Sequence, residues 1–395
     1  MNLALEPLTC QDYCPEAVVQ SVSTWPEVAS HWSELTNNCP QASFFLSRDW
    51  VESWLEVFAD QLKPEILLFK SEGEVVGSCL LVHRTQRCGP FLVKRVYLNT
   101  AGEDQADGTY VEFNNLLCRP GWELAVAEAL ASHLPGRNWD EILANGFWPG
   151  EGLEALQTAF SELTPLIRFQ SDYYVDLQCL RSSPASYESL LSRKTRLRQS
   201  LKKYRQFGEL KLEAARDSAR AIEMLEELTA LHRQSWLARG RPGVFASPRF
   251  VAFHQSLIRR AFPKGAIQLL RVTAGDELVG VLYNFVHRGK VHFYQSGLRY
   301  TDDNQLRPGY VAHYLAVCHC LGQGLDEYDF MAGEERYKKD LSTHSRKLAW
   351  VELRRPRWKF STIDFLRRVK RDIRGAFGDP LTGLNSYLRA RLGTR

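Results

Sequence analysis

"ILLFKSEGEVVGSCLLVHR" occupies residues 66–84 and "IQLLRVTAGDELVGVLYNFVHR" occupies residues 267–288. Each is an apolar, β-rich run broken by a short polar turn that contains glycine, the pattern of a β-hairpin. EVVG in the first matches ELVG in the second, and both run into Val-His-Arg. A matching helix stands ahead of each. "FFLSRDWVESWLEVF" (44–58) parallels "VFASPRFVAFHQSLIRRAF" (244–262), with Ser47 against Ser247 and Trp50 against Phe250. A serine followed by apolar residues at helical spacing predicts an N-capped amphipathic helix in both places. A helix and a hairpin that recur in one order, about 200 residues apart, point to duplication.

Downstream of the hairpins the order of elements still agrees. The second half continues with the strand "KVHFYQSGLRY" and a polar loop ending at Pro308-Gly309. A helix from Tyr310 to about Gly322, the strand "DEYDFMAG", a helix after Gly333 and the strand "KLAWVELRR" follow. The first half continues with "RVYLNT", a loop, "VEFNNLLC", the helix "GWELAVAEALASHL", the strand "WDEILANGF", the helix "GEGLEALQTAFSEL" and the strand "YYVDLQ". Each half is thus predicted to be a mixed α/β unit with helices before and after a central hairpin. The join is placed near Leu177–Tyr187, where "QCLRSSPASY" supplies Ser and Pro. The expected division is residues 1–178, residues 179–356 and a basic tail, 357–395.

A chain of 395 residues suits two domains rather than one core. Hydrophobic residues at 44% and charged residues at 24% are ordinary for a globular protein. No run is long enough for a transmembrane helix, and "MNLALEPLTCQDYC" lacks the basic start and apolar core of a signal peptide. Nine cysteines with no CxxC pair are read as reduced thiols in a cytoplasm, without a zinc site. The net charge of +4 is uneven: residues 354–395 hold twelve Lys or Arg against three Asp. A mildly acidic body carries a basic tail.

The order helix, helix, hairpin, strand, loop, helix, strand, helix, strand is that of the GNAT acetyltransferase fold. Two such units in tandem resemble the FemABX-type architecture. The second half is most similar to the acetyltransferase domain of CelD/BcsL-type proteins, associated with bacterial polysaccharide production. The similarity is carried by "SRKTRLRQSLKKYRQFG", "LHRQSWLARGRPGVF", the "LRPG" loop with its helix, and "GEERYKKDL". With the hairpins it covers about residues 50–353. It implies an acyl-CoA-dependent N- or O-acyltransferase, using acetyl-CoA or a longer acyl-CoA, that acts on a sugar, sugar-nucleotide or cell-envelope precursor. It implies no metal, one cofactor site in the second unit, and a non-catalytic first unit on the acceptor side.

In "LRPGY" a proline-started helix offers unpaired N–H groups to an anion. Gly309 lets a ligand approach the backbone, and Arg307 adds a charged fork. The resemblance implies that Arg307, Pro308, Gly309 and Tyr310 meet the pyrophosphate of coenzyme A, although the usual glycine-rich signature is reduced here. A plain helix start is the competing reading.

In "DFMAGEERYKKDLST" (329–343), a helix beginning after Gly333 would put Glu334, Tyr337, Lys338 and Leu341 on one face, with a Glu334–Lys338 ion pair. The resemblance implies a catalytic place for Tyr337 and Lys338, with Tyr337 protonating the departing thiolate; a phenol is a sensible acid for a thiolate of similar basicity. A base for the acceptor is open among His232, His292, Asp329 and Glu334. Trp236 shares a helix face with His232. Gln295 lies on the strand of His292. Glu112 and Asn114, two apart, are expected on one face of a strand, where the resemblance implies substrate binding with Trp236, His292 and Gln295.

Between Ser189 and Gly208 lie seven Lys or Arg and no acid, a face for nucleotide phosphate, tRNA or anionic lipid, or simply a solvated helix. The tail "WKFSTIDFLRRVKRDIRGAF" mixes Trp358, Phe360, Ile363, Phe365, Leu366, Val369, Ile373 and Phe377 with Arg and Lys. It suits an interfacial helix at the inner face of a membrane, a helix docked on the body, or a contact with a second subunit. Two further functions stay in view: FemABX-type transfer from aminoacyl-tRNA, and a non-catalytic scaffold for envelope polysaccharide assembly.

Overall fold

The computed structural model describes residues 15–134, 138–182, 187–191 and 194–377; of residues 370–377 it describes the backbone alone. The N-terminal "MNLALEPLTCQDYC", Ser192 and Arg193 of the basic stretch, and residues 378–395 of the tail lie outside them.

The first unit runs β1 (Val18–Val22), α1 (Ala29–Asn38), α2 (Arg48–Leu62), β2 (Glu65–Ser71), β3 (Glu74–Cys88), β4 (Phe91–Leu98) and β5 (Leu117–Cys118). It closes with α3 (Glu123–His133), β6 (Glu141–Phe147), α4 (Glu151–Ala159) and β7 (Thr164–Asp176). Three helices, α5 (Leu177–Ser182), α6 (Tyr187–Leu191) and α7 (Thr195–Tyr204), lead to the second unit. That unit runs β8 (Leu210–Ala214), α8 (Ser218–Leu237), α9 (Pro248–Ala261), β9 (Ile267–Ala274), β10 (Glu277–His287) and β11 (Lys290–Leu298). Then come α10 (Pro308–Gly322), β12 (Glu327–Ala332), α11 (Arg336–Leu341), β13 (His344–Arg354) and α12 (Trp358–Phe377).

The duplicated elements fold alike. Ser47 caps α2 by accepting from the Trp50 N–H, and Ser247 caps α9 by accepting from the Phe250 N–H. Both hairpins pair as β2/β3 and β9/β10. The two capped helices then pack on each other. Trp50 lies edge-on to Phe253 at 4.8 Å between ring centroids, and Phe44 stacks on Phe285 at 4.4 Å. One apolar core therefore crosses from unit to unit.

A single sheet joins them, in the order β1-β2-β3-β4-β6-β13-β7-β12-β11-β10-β9-β8, with β5 beside β3. Its centre is an exchange of last strands. β7, which ends the first unit, pairs with β12 of the second, and β13, which ends the second, pairs with β6 of the first. β7 and β13 are themselves antiparallel neighbours, from His344 against Tyr174 to Arg354 against Thr164.

Two neighbours run parallel, β4/β6 and β11/β12, and each pairing lasts only three residues. β11 and β12 part after His292 and Asp329; β4 and β6 part after Tyr97 and Leu143. The first unit fills its own gap. Asn114 bridges to β6 there, its N–H donating to the Gly146 carbonyl and its carbonyl accepting from the Trp148 N–H. Asp329, Glu112 and Lys338 lie beside the gap between β11 and β12.

"VEFNNLLC" was expected to be a strand with Glu112 and Asn114 on one face. Only Leu117–Cys118 is strand, and Tyr110 and Phe113 take left-handed backbone angles. The alternation of a strand is lost, and Glu112 and Asn114 turn to different partners.

Candidate functional site

The end of β12 is built around two pinned groups. The Ala332 N–H donates to Glu112 Oε2 at 2.8 Å, and the Ala332 carbonyl accepts from Lys338 Nζ at 2.8 Å. Lys338 is buried, also donates to the Met331 carbonyl, and faces Glu335 at 3.3 Å. Gly333 takes φ of 143°, a backbone angle that favours glycine. A Cβ there would come within 2.2 Å of the Glu335 carboxylate and 2.8 Å of Lys338 Nζ.

This corrects the helix expected after Gly333. α11 begins at Arg336, because Lys338 is drawn under the strand end instead of across the helix to Glu334. Glu334 is exposed and pairs with Lys339. Its carboxyl is held below the usual range by that hydrogen bond, which suits a charged surface group rather than a base.

Glu112 has the opposite environment. Burial pushes its carboxyl up to about 7, against the pull of the Ala332 N–H and Lys338 and helped by Asp329 and Glu335. Asp329 is fully committed. Its Oδ1 accepts from the Met331 N–H at 2.6 Å and its Oδ2 is bonded by Arg346. Arg346, on β13, also bonds Asp172 at 2.6 Å and Glu327 at 2.6 and 3.0 Å, under the Tyr174 ring at 4.4 Å. Burial works against the Arg346 charge, but Asp329, Glu327 and Asp172 outweigh it, while burial and Asp329 raise Asp172 well above the carboxylate range.

His292 is buried, and burial followed by Arg346 lowers it to about 3, so it is neutral. It lines a separate cavity of about 200 Å³ with Ser43, Phe113, Trp148 and Arg346. Asn114 is likewise consumed: its side chain accepts from Asn99 Nδ2 and the Asn115 N–H.

Tyr337 stacks flat on His313 of α10, 5.0 Å between centroids and 10° between planes. Burial raises its hydroxyl well above the ordinary phenol, with Glu335 and Tyr300 adding to the effect. α10 starts close by. Gly309 is open: a Cβ there would meet only the Leu298 side chain, at 3.4 Å. Arg307 Nη1 is buried and has no hydrogen-bond partner. Tyr310 turns away, its hydroxyl donating to Asp340 at 2.6 Å. Lys194, Arg196 and Arg336 all lie within 4 Å of the same Asp340 carboxylate, an excess of positive charge beside the helix start. The α7 helix is fastened there by Ser200, which bonds the Gln305 carbonyl and the Arg307 N–H.

His232, Trp236 and Gln295 meet in a cleft of about 1070 Å³ that Asp107 and Tyr110 of the first unit also line. Arg239 lies 5.7 Å from the Trp236 ring and 5.5 Å from that of Tyr300. Gly243 (φ 70°) lets the loop cross His232, whose Cε1 would be 2.7 Å from a Cβ at that position. Burial and Arg239 lower His232 to about 4.

Sequence reasoning missed Arg346, Asp172, Arg239, Tyr300 and Asp340. Arg346 and Asp172 are 174 residues apart and meet only through the strand exchange, so no local pattern marks them.

Residues 192–339 match the family model described as an acetyltransferase (GNAT) domain. Among solved structures the chain is similar to FemX, at 10% identity over 84% of this chain and 96% of that one, with a TM-score of 0.51. It is as similar to a conserved protein of unknown function from Bacteroides thetaiotaomicron VPI-5482, at 10% identity over 85% and 100%, TM-score 0.51. A tandem GNAT protein from the clavulanic acid biosynthesis pathway matches at 11% identity over 85% and 98%, TM-score 0.44. No curated protein matches the chain. Residues 192–339 thus carry a GNAT acetyltransferase domain, which supports an acyltransferase, in a chain whose overall fold is shared with FemX.

Proposed function

We propose that the chain is a CelD/BcsL-like transferase that moves an acyl group, most simply acetyl, from acyl-CoA to an amine or hydroxyl of a sugar or envelope-polysaccharide precursor. The observation that carries this reading is the start of α10. An open glycine at a proline-started helix and the unpartnered Arg307 Nη1 converge there among surplus cations. That donor set fits a pyrophosphate. Arg307 and the Gly309 backbone would hold it, with Lys194 and Arg196 nearby for a further phosphate.

The thioester, when bound, supplies an activated acyl carbon. The remaining work falls to side chains. Glu112 is the best base: a carboxyl near pH 7 takes and returns a proton readily, whereas His232 and His292 are too weakly basic and Asp329 is engaged by Arg346. Tyr337 would give a proton to the leaving thiolate at its hydroxyl. Lys338 positions the strand end instead of reacting. The cleft suits a sugar ring, since Trp236, Tyr300 and Tyr110 offer flat apolar faces while Asp107, Gln295 and Arg241 offer polar edges. On this reading the protein works in the cytoplasm of a bacterium, and residues 179–356 form the catalytic domain, with 1–178 supplying Glu112 and one wall.

The test is release of coenzyme A thiol from acetyl-CoA in the presence of a panel of amino sugars and sugar-nucleotides. Acceptor-dependent release, lowered by about 10² or more in Glu112→Gln, is expected. Release that no acceptor stimulates would count against the reading.

A second reading draws on the likeness to FemX: an aminoacyl-tRNA donor, with the basic face of α7 on RNA phosphates. Salt-sensitive tRNA binding without affinity for coenzyme A would favour it.

A further inference from the structure

Helix α12 has two apolar faces, and among the described residues the body covers one of them. Phe360 and Ile363 are buried against Val93, with Cys88 and Phe91 around them. Arg354 fixes the same side, bonding Asp364 at 2.9 Å with its guanidinium 4.8 Å from the Phe360 ring, and Lys359 reaches Asp140 and the Leu92 carbonyl. At helical spacing Trp358, Thr362, Phe365, Leu366 and Val369 fall in one stripe roughly 100° wide on the opposite side. Trp358 is 74% exposed, Phe365 59%, Leu366 44% and Val369 37%. Leu92, 63% exposed at the start of β4, and Phe91, edge-on to Trp358 at 5.3 Å, extend the patch across the body. A row of large apolar side chains held outward by a docked helix is a contact surface, not a fluctuation of a loose end.

Charge selects the occupant. Between Arg354 and Arg374 the sequence carries nine Lys or Arg against Asp364 and Asp372, and Asp364 is already shared by Arg354 and Arg367. A second copy meeting this face through a two-fold axis would bring two such basic helices together. An anionic lipid surface would receive both the apolar stripe and its cations. Tryptophan is at home at that boundary, with one edge apolar and one wet. Among the described residues no helix is long and apolar enough to cross a membrane, so the contact is one of lying on the surface.

We propose that the outer face of α12, with Leu92, seats the protein on an anionic membrane surface. The seat is independent of the acyl-transfer site, and its test needs no substrate.

The experiment is co-sedimentation of the full chain with vesicles of phosphatidylcholine, and with vesicles in which a third is replaced by phosphatidylglycerol. The double variant Phe365→Ser/Val369→Ser removes exposed side chains only, and unchanged circular dichroism and melting verify that it folds. Binding to anionic vesicles about tenfold or more above neutral ones, weakened by salt and lost about tenfold in the variant, is the expected result. Equal binding to both vesicles, no binding to either, or an unchanged variant would overturn the proposal. So would a dimer in sedimentation velocity that the same substitutions dissolve, which would assign the face to a second copy.

Discussion

Glu112 of the first unit accepts a hydrogen bond from the backbone N–H of Ala332 in the second, at 2.8 Å, where β12 leaves its parallel neighbour. The contact joins residues 220 positions apart and places a carboxyl raised to about 7 beside the gap between β11 and β12. Phe113, the next residue, faces His292 at 4.9 Å, and the Tyr294 hydroxyl donates to the Thr109 carbonyl. One short segment of the first unit thus lies across two strands of the second, β11 and β12.

A buried carboxyl raised from 4.5 to about 7 must show in the pH dependence of stability. The folded state binds the proton more tightly than the unfolded chain, so stability is full below pH 4.5 and falls as pH rises to about 7. The loss is at most about 3 kcal/mol for such a shift. Glu112→Gln should cancel this slope, melting above the wild type at pH 8 and close to it at pH 4. Urea titrations across that range measure it; parallel curves for the two proteins would show that Glu112 titrates normally.

Arg346 bonds Asp172, Glu327 and Asp329 at once. Arg346→Met leaves the Glu327 and Asp329 carboxylates without that cation in a poor solvent, and a loss of about 3–5 kcal/mol is expected. Acid should restore part of it by protonating them. Thermal melts at pH 7.5 and pH 5 read both effects, and a variant as stable as the wild type at both would contradict the cluster's role in joining the exchanged strands.

Tyr337→Phe keeps the stack on His313 and deletes only the hydroxyl. Stability should stay within about 0.5 kcal/mol, as for a substitution that breaks no buried bond. Turnover should fall about 10² with KM little changed, and most at a pH where the thiolate leaves unaided least readily. Steady-state kinetics separate the two constants; a rise in KM alone would make Tyr337 a binding residue.

The sequence carried the repeated helices and hairpins because their signals are local. Ser47 and Ser247 announce their caps, and the glycine turns announce the hairpins. It carried the start of α10 for the same reason. The strand exchange was not legible, since β7 and β13 look like ordinary last strands and differ only in which neighbour they choose. Positive φ at Tyr110 and Phe113, non-glycine residues, broke the expected alternation of Glu112 and Asn114. Lys338 was attracted to the carbonyls of Met331 and Ala332, a preference fixed by the burial of the strand end and invisible to helical spacing.

The most direct measurement is calorimetric titration of the full chain with acetyl-CoA and with coenzyme A, repeated on Arg307→Ala. A single site for both ligands, weakened about tenfold or more by losing one charge-assisted contact, is what this account predicts. No binding of either ligand, or binding untouched by the substitution, would contradict an acyl-CoA site at the start of α10.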